Sequence, residues 1–122
     1  MSRFLVALAL PFIVLATLAT VVLARSAVPE ATVTYYFIPG CTTCARTATR
    51  LAAVADRFEG RVKVRLVRND SDEGRTATQR HGFLSHGVVL TTAEGHAALV
   101  EADHRVFPEH VQAALARVLP AK

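Results

Sequence analysis

The two cysteines of the chain lie close together, in the segment Cys41-Thr42-Thr43-Cys44. Two cysteines at this spacing can form half of a zinc site, a structural disulfide, or a reversible disulfide that carries electrons. Here the motif lies between a predicted strand and a predicted helix. The unpaired N–H groups and the dipole at a helix N-terminus stabilise a thiolate on the first cysteine. We therefore predict that Cys41 is an exposed nucleophile and that Cys44, one turn into the helix, is a more covered resolving thiol.

Purely structural uses explain the pair less well. A disulfide across so short a loop stabilises a fold by only about 2 kcal/mol in the chain-entropy model. A zinc ion needs two more ligands, and His81 and His86 follow Cys44 at a far longer interval than zinc fingers show. In redox use, a mixed disulfide on Cys41 is released by attack of Cys44. This chemistry needs no cofactor besides the reversible Cys41–Cys44 disulfide.

The elements around the motif alternate between strand and helix. β-Branched and alternating residues predict strands at 33–37, 62–67, 87–91 and 97–101. Apolar residues at helical spacing predict helices at 41–58 and 72–81 and a last helix that begins at Pro108. The first two strand–helix units require a parallel pair with a helical crossover, whereas a turn at residues 94–95 requires an antiparallel pair. The order β-α-β-α-β-β-α thus predicts an α/β domain with a mixed four-stranded sheet and helices on its faces.

A second group of chemically active side chains lies at one end of the predicted hairpin. A two-residue turn at residues 94–95 places His86 opposite Asp103, and a loop one residue longer places it opposite His104. A cationic histidine beside the cysteines would stabilise a thiolate further. His86, Gly87, Asp103 and His104 are therefore candidate modulators of the cysteine pair. The plainer alternatives are that His86 caps a backbone group and that Asp103 and His104 end a solvated strand.

The order of elements, with the cysteine motif directly after the first strand, resembles the thioredoxin fold family over about residues 31–120. The strongest match is the Cys-x-x-Cys after Tyr-Tyr-Phe-Ile-Pro-Gly at residues 35–40. The segment from Asn69 through Phe83 is similar to the family's second strand–helix connection. The resemblance implies a thioredoxin-like three-layer α/β/α fold and thiol–disulfide oxidoreductase activity on protein thiols or a small redox carrier.

Several positions depart from the family's pattern. Gly40 stands where thioredoxins have tryptophan before the first cysteine. Tyr35 stands where they have a buried acid that assists deprotonation of the resolving thiol. Gly87 stands where most members have a cis-proline before the third core strand. The replacements of the acid and the proline leave open how far this chain shares the chemistry of a general reductase.

Two other functions are therefore weighed beside the oxidoreductase. Family members without the proline include metal-handling ones, and two thiolates with an imidazole suit Cu(I) or zinc. One alternative is thus a copper-binding module, not an enzyme, with Cys41, Cys44 and His86 as ligands. The other is a non-catalytic interaction domain that keeps the fold.

The N-terminal segment predicts a location outside the cytoplasm. Residues 4–24 contain no charged side chain, and about 21 helical residues span roughly 30 Å, the thickness of a bilayer core. The stretch is longer than the apolar region of most cleaved signal peptides. We interpret residues 1–27 as a transmembrane signal anchor, with a cleaved signal peptide as the alternative. Residues 28–122 then form a thioredoxin-like domain on a single-pass protein of the inner membrane, facing the periplasm or the exterior.

Charge gives no support for a nucleic-acid partner. Outside residues 1–27 the chain has 12 Lys and Arg against 10 Asp and Glu, without a run of like charges. Ninety-five residues are enough for one core. We expect a monomer that exchanges disulfides with protein thiols, or takes electrons from a membrane donor, and that binds no nucleic acid.

Overall fold

The computed structural model describes residues 28–121 and contains the predicted elements in the predicted order. The strands are β1 (Ala31–Phe37), β2 (Val62–Arg68), β3 (Gly87–Thr92) and β4 (Ala97–Ala102). The α-helices are α1 (Thr42–Asp56), α2 (Asp72–His81) and α3 (Pro108–Val118). A single 3₁₀ turn, Asp103–Arg105, follows β4.

The four strands form one mixed sheet in the order β2-β1-β3-β4. β1 and β2 are parallel and are joined by α1, because a parallel pair needs a crossover. β1 and β3 are antiparallel, and so are β3 and β4. The predicted mixed four-stranded sheet is confirmed. β1 lies inside the sheet between β2 and β3, so the sheet holds the end of the strand that leads to the cysteines in a fixed position.

Successive side chains of β1 point to opposite faces of the sheet. Val33 and Tyr35 enter one core, where they pack with apolar side chains of α1 and α3 such as Leu51 and Leu115. Tyr36 points to the opposite face and packs in a smaller cluster with α2 and the residues that follow it. Side chains alternate across a strand, so one strand serves both cores. The predicted three-layer arrangement is confirmed.

The hairpin between β3 and β4 has one of the two predicted registers, but its turn is longer than predicted. Gly87 pairs with Ala102, and the Asp103 N–H donates to the carbonyl of His86 at 2.8 Å, so His86 lies opposite Asp103. The loop, however, has three residues rather than two, and it ends on Gly95 with φ +89°. A bulge in β4 at Ala98 absorbs the extra residue and restores the register.

The predicted membrane anchor, residues 1–27, lies outside the described residues. Within residues 28–121, no helix combines the length and the apolar character needed to cross a bilayer. The proposed division between an anchor and a domain at residue 28 stays a prediction.

Candidate active site

The first cysteine begins helix α1 as its N-cap. Gly40 turns the chain with φ +77°, and Cys41 follows in an extended conformation. The Cys41 Sγ accepts a hydrogen bond from the backbone N–H of Cys44 at 3.1 Å. Oxygen side chains usually fill this position, and here sulfur takes their place. The sulfur of Cys41 therefore lies against the positive end of the helix, as the sequence predicted.

The two thiols differ in exposure. Cys41 is partly exposed, Cys44 is only 3% exposed, and both are free thiols. An attacking thiol must reach its partner, whereas a resolving thiol needs to reach only the other cysteine. The arrangement therefore suits attack by Cys41 and resolution by Cys44.

Electrostatics favour ionisation of the buried thiol. Burial raises the pKa of Cys44, but hydrogen bonds with the side chains of Cys41 and Tyr35 and with the backbone at Ile38 and at Cys44 itself outweigh it. The net result is a pKa of Cys44 below the usual value for a cysteine. Because the two sulfurs share a hydrogen bond, ionisation of one changes the proton affinity of the other.

Tyr35 contacts the cysteine pair from the floor of the site. Its side chain is fully buried in β1, and its hydroxyl interacts with the side chains of Cys44 and Thr47. Burial, and then the neighbouring Cys44, raise the pKa of this tyrosine well above its usual value, so the hydroxyl keeps its proton. From the sequence, Tyr35 stands at the family's buried-acid position, and its contact with His86 becomes visible only in the fold.

His86 lies on the far side of that hydroxyl. The Tyr35 hydroxyl oxygen is 3.4 Å from Nδ1 of His86, and the two rings meet edge to face with their centroids 6.2 Å apart. Burial lowers the pKa of His86, Asp103 raises it, and His104 lowers it, with a net decrease. Burial therefore favours a neutral imidazole at His86 near pH 7.

Asp103 holds the loop that carries His86. One carboxylate oxygen accepts the N–H groups of Ser85 at 2.8 Å and His86 at 3.3 Å, together with the Ser85 hydroxyl at 2.9 Å. The other oxygen accepts the N–H of Leu84 at 3.0 Å. From the opposite side, the Asn69 amide donates to the Ser85 carbonyl at 2.7 Å. Asp103 thus acts on the loop backbone, which is a more specific role than ending a solvated strand.

The remaining candidates lie apart from the sulfurs. Gly87 is buried, and a Cβ there would lie 2.4 Å from the ring of Phe83, in the cluster on the opposite face of the sheet. Gly87 therefore allows close packing behind the loop, while the next residue toward the N-terminus, His86, faces Tyr35. His104 is exposed and acts on His86 through its charge.

The copper alternative obtains no support from the geometry. Across residues 28–121, no three His, Cys, Asp or Glu side chains come together as a metal site. Tyr35 lies in contact with both Cys44 and His86, so a phenol hydroxyl occupies the place between them.

An apolar groove of about 440 Å³ opens beside the cysteines. Ile38, Cys41, Ala45 and Ala48 line it, and Leu66 of the edge strand β2 forms its far wall with 54% of its surface exposed. An exposed leucine beside a reactive thiol offers an apolar surface to whatever chain approaches Cys41. Leu66 could not be recognised from the sequence, because it looks like an ordinary member of an alternating strand.

The lowered pKa of Asp103 predicts that the stability of the fold depends on pH. Burial raises its pKa, but the N–H groups of Leu84, Ser85 and His86 and the Ser85 hydroxyl lower it more, to about 2. This value lies below the roughly 3.9 expected in an unfolded chain. The carboxylate therefore stabilises the fold above about pH 4, and this contribution is lost as the pH falls from about 4 to 2.

Asp103→Asn is expected to lower the free energy of unfolding by about 1–3 kcal/mol at pH 7, because loop N–H groups lose a charged acceptor. The difference from wild type should shrink between pH 4 and pH 2 in urea unfolding experiments. Asparagine tolerates the positive φ of 54° at this position, so the backbone is not the cause. Asp56→Asn on the exposed end of α1 serves as the control. Equal differences at pH 7 and pH 2 would contradict this role for Asp103.

Comparisons with known proteins agree with this geometry. No protein-family model matches the chain, and no curated protein is similar to it in sequence. Chloroplastic thioredoxin z superposes with a TM-score of 0.58 at 19% identity, over 87% of this chain and 90% of that chain. Malaria parasite thioredoxin-2 gives 0.57 at 18% identity, over 72% and 82%. The thioredoxin of Fasciola hepatica gives 0.57 at 17% identity, over 72% and 80%. The chain therefore has a thioredoxin-like fold.

Proposed function

We propose that the chain catalyses thiol–disulfide exchange through Cys41 and Cys44. One observation carries this proposal: a partly exposed cysteine caps a helix N-terminus, and a buried cysteine one turn later donates its backbone N–H to the first sulfur at 3.1 Å. The helix end stabilises the attacking thiolate, and the second sulfur stays within reach of the first.

In this mechanism the thiolate of Cys41 attacks a disulfide of the partner. The Cys41–partner bond forms, the partner disulfide breaks, and one partner sulfur leaves as a thiolate that takes up a proton. The Cys44 thiolate then attacks the Cys41 Sγ, which forms the Cys41–Cys44 disulfide and releases the second partner sulfur. The partner gains two electrons and two protons, and the same steps run in reverse when this chain is the oxidant.

A protein partner fits the surroundings of Cys41 best. The groove beside it is lined by apolar side chains, and Leu66 exposes most of its surface there. A folded or extended chain with an apolar residue next to its cysteine gains contact area in this groove, whereas glutathione offers little apolar surface. We propose protein thiols and disulfides, or a membrane electron donor, as the physiological partners.

The proposed location is outside the cytoplasm. The uncharged residues 4–24 support a membrane anchor or an export signal. Compartments outside the cytoplasm are where protein disulfides form and persist. We propose that the domain works there, attached to the inner membrane and facing the periplasm or exterior.

The test is catalysis by the full-length chain in mild detergent. The rate at which reduced glutathione cleaves a fluorescent peptide disulfide is measured with and without the protein, and we expect turnover well above the uncatalysed rate. Cu(I) is titrated in parallel. A protein that gives no turnover, while one equivalent of Cu(I) protects both thiols from alkylation, would refute the oxidoreductase proposal and favour metal handling.

A further inference from the structure

The chemistry proposed above needs a route for the proton of the resolving thiol. Cys44 is buried, so water does not reach its sulfur freely, yet the sulfur must lose its proton before it attacks. The family's buried carboxylate is replaced here by Tyr35. A tyrosine that stays neutral cannot hold an extra proton. It can only pass one on, and it therefore needs an acceptor behind it.

The structure supplies such an acceptor. Tyr35 and Cys44 lie in the same buried cluster, where the tyrosine hydroxyl interacts with the thiol, and the hydroxyl oxygen lies 3.4 Å from Nδ1 of His86. This separation is long for a hydrogen bond, but catalytic hydrogen bonds are often long in a free enzyme and shorten when the reacting partner binds. With the ring proton on Nε2, Nδ1 of His86 accepts from the hydroxyl. His86 is partly exposed, so its imidazole connects the buried hydroxyl to solvent.

We propose that Tyr35 and His86 form a proton relay that activates Cys44 for release of the mixed disulfide. The Cys44 thiol gives its proton to the Tyr35 oxygen while the Tyr35 hydroxyl proton moves to Nδ1 of His86. The Cys44 thiolate attacks the Cys41 Sγ, and the partner sulfur leaves with the bonding electron pair. His86 then returns a proton to solvent, so Tyr35 ends each cycle unchanged.

The surroundings of His86 fit this role. It faces Tyr35 on β1, with Cys44 of α1 beyond the hydroxyl, and the charges of Asp103 and His104 act on it from the turn after β4. Burial favours the neutral ring, which is the form that accepts a proton. Asp103 binds the backbone N–H of His86 and so fixes the position of the acceptor.

The test isolates the step in which Cys44 acts. Full-length protein is loaded on Cys41 with a fluorescent peptide as a mixed disulfide, and peptide release is followed in a stopped-flow instrument between pH 5 and pH 9. For Tyr35→Phe we expect release to slow by about tenfold or more, since positioned proton transfer typically contributes about 10²–10⁴-fold. We also expect the variant to lose the pH inflection due to His86. In wild type, release should be slower in deuterated water, and Tyr35→Phe should reduce this isotope effect.

Tyr36→Phe is the matched control. It removes the same hydroxyl from the adjacent residue, whose ring packs on the opposite face of the sheet. Its release rate and pH profile should equal those of wild type. His86→Gln is a second variant that leaves the buried tyrosine in place and should also remove the inflection. All three variants should still form the mixed disulfide on Cys41, and Tyr36→Phe should do so at the wild-type rate.

The outcomes separate this inference from the proposed function on which it rests. If wild type releases the peptide with formation of the Cys41–Cys44 disulfide, while Tyr35→Phe and His86→Gln keep the rate, the pH profile and the isotope effect, the relay is refuted and the exchange activity stands. If wild-type Cys41 forms no mixed disulfide at all, both proposals are overturned.

Discussion

Cys41→Ser is expected to abolish peptide disulfide cleavage, with a loss on the order of 10³-fold or more, as for other removed nucleophiles. A serine hydroxyl is not ionised near neutral pH and does not attack disulfides, whereas the helix end stabilises a thiolate at this position. Stability should change little, because serine is itself a preferred N-cap residue. The measurement is the glutathione-dependent cleavage rate of the fluorescent peptide disulfide.

Cys44→Ser should behave differently from Cys41→Ser. It keeps the attacking thiol but removes the resolving one, so the mixed disulfide with the peptide should accumulate on Cys41. Thr43→Ser, which alters the motif without touching either sulfur, should turn over like wild type. If Cys41→Ser instead accumulates the mixed disulfide and Cys44→Ser does not, the roles of the two cysteines are reversed.

Gly74→Ala is expected to cause a large loss of stability. Alanine normally stabilises a helix relative to glycine by about 1 kcal/mol. At this position, however, a Cβ would lie 2.1 Å from the carbonyl oxygen of Arg68 and 2.7 Å from backbone atoms of Asn69. Backbone cannot turn aside as a side chain does, and the Asn69 N–H is bonded to the carbonyl of Phe37 at 2.9 Å. We expect a net loss of about 1–3 kcal/mol and a fall in Tm of roughly 5–20 °C.

Gln79→Ala on an exposed turn of the same helix is the control, and its effect should stay within about 0.5 kcal/mol. Gly74→Ala should also disturb the loop that carries His86, because Asn69 donates to the Ser85 carbonyl in that loop. A Gly74→Ala variant as stable as Gln79→Ala would contradict the close approach between α2 and the end of β2.

The sequence was a good guide to the fold because each element carries its own local signal. The alternation of 62–67, the glycine and proline breaks, and the helical spacing after Cys41 are all readable without tertiary contacts. Hairpin geometry allowed two partners for His86, namely Asp103 and His104. Asp103 is the partner because a bulge at Ala98 offsets the three-residue turn, and this bulge leaves no mark in composition.

The site was less predictable because its contacts cross between elements. The sequence indicated that Tyr35 replaces an acid, but only the folded sheet places its hydroxyl between Cys44 and His86. From the sequence, Gly74 is only a residue of low helix propensity. The fold shows that the backbone of the preceding turn packs directly against it. Leu66 reads as one member of an alternating strand, and it lines the groove only because β2 is an edge strand beside α1.

A redox titration shows whether Cys41 and Cys44 act as one redox couple. Full-length protein is equilibrated in glutathione buffers of graded potential, quenched by alkylation and analysed by mass spectrometry. We expect one two-electron transition in which both cysteines lose reactivity together as an intramolecular disulfide. Cysteines that stay alkylatable at every potential, or that become glutathionylated independently of each other, would contradict it.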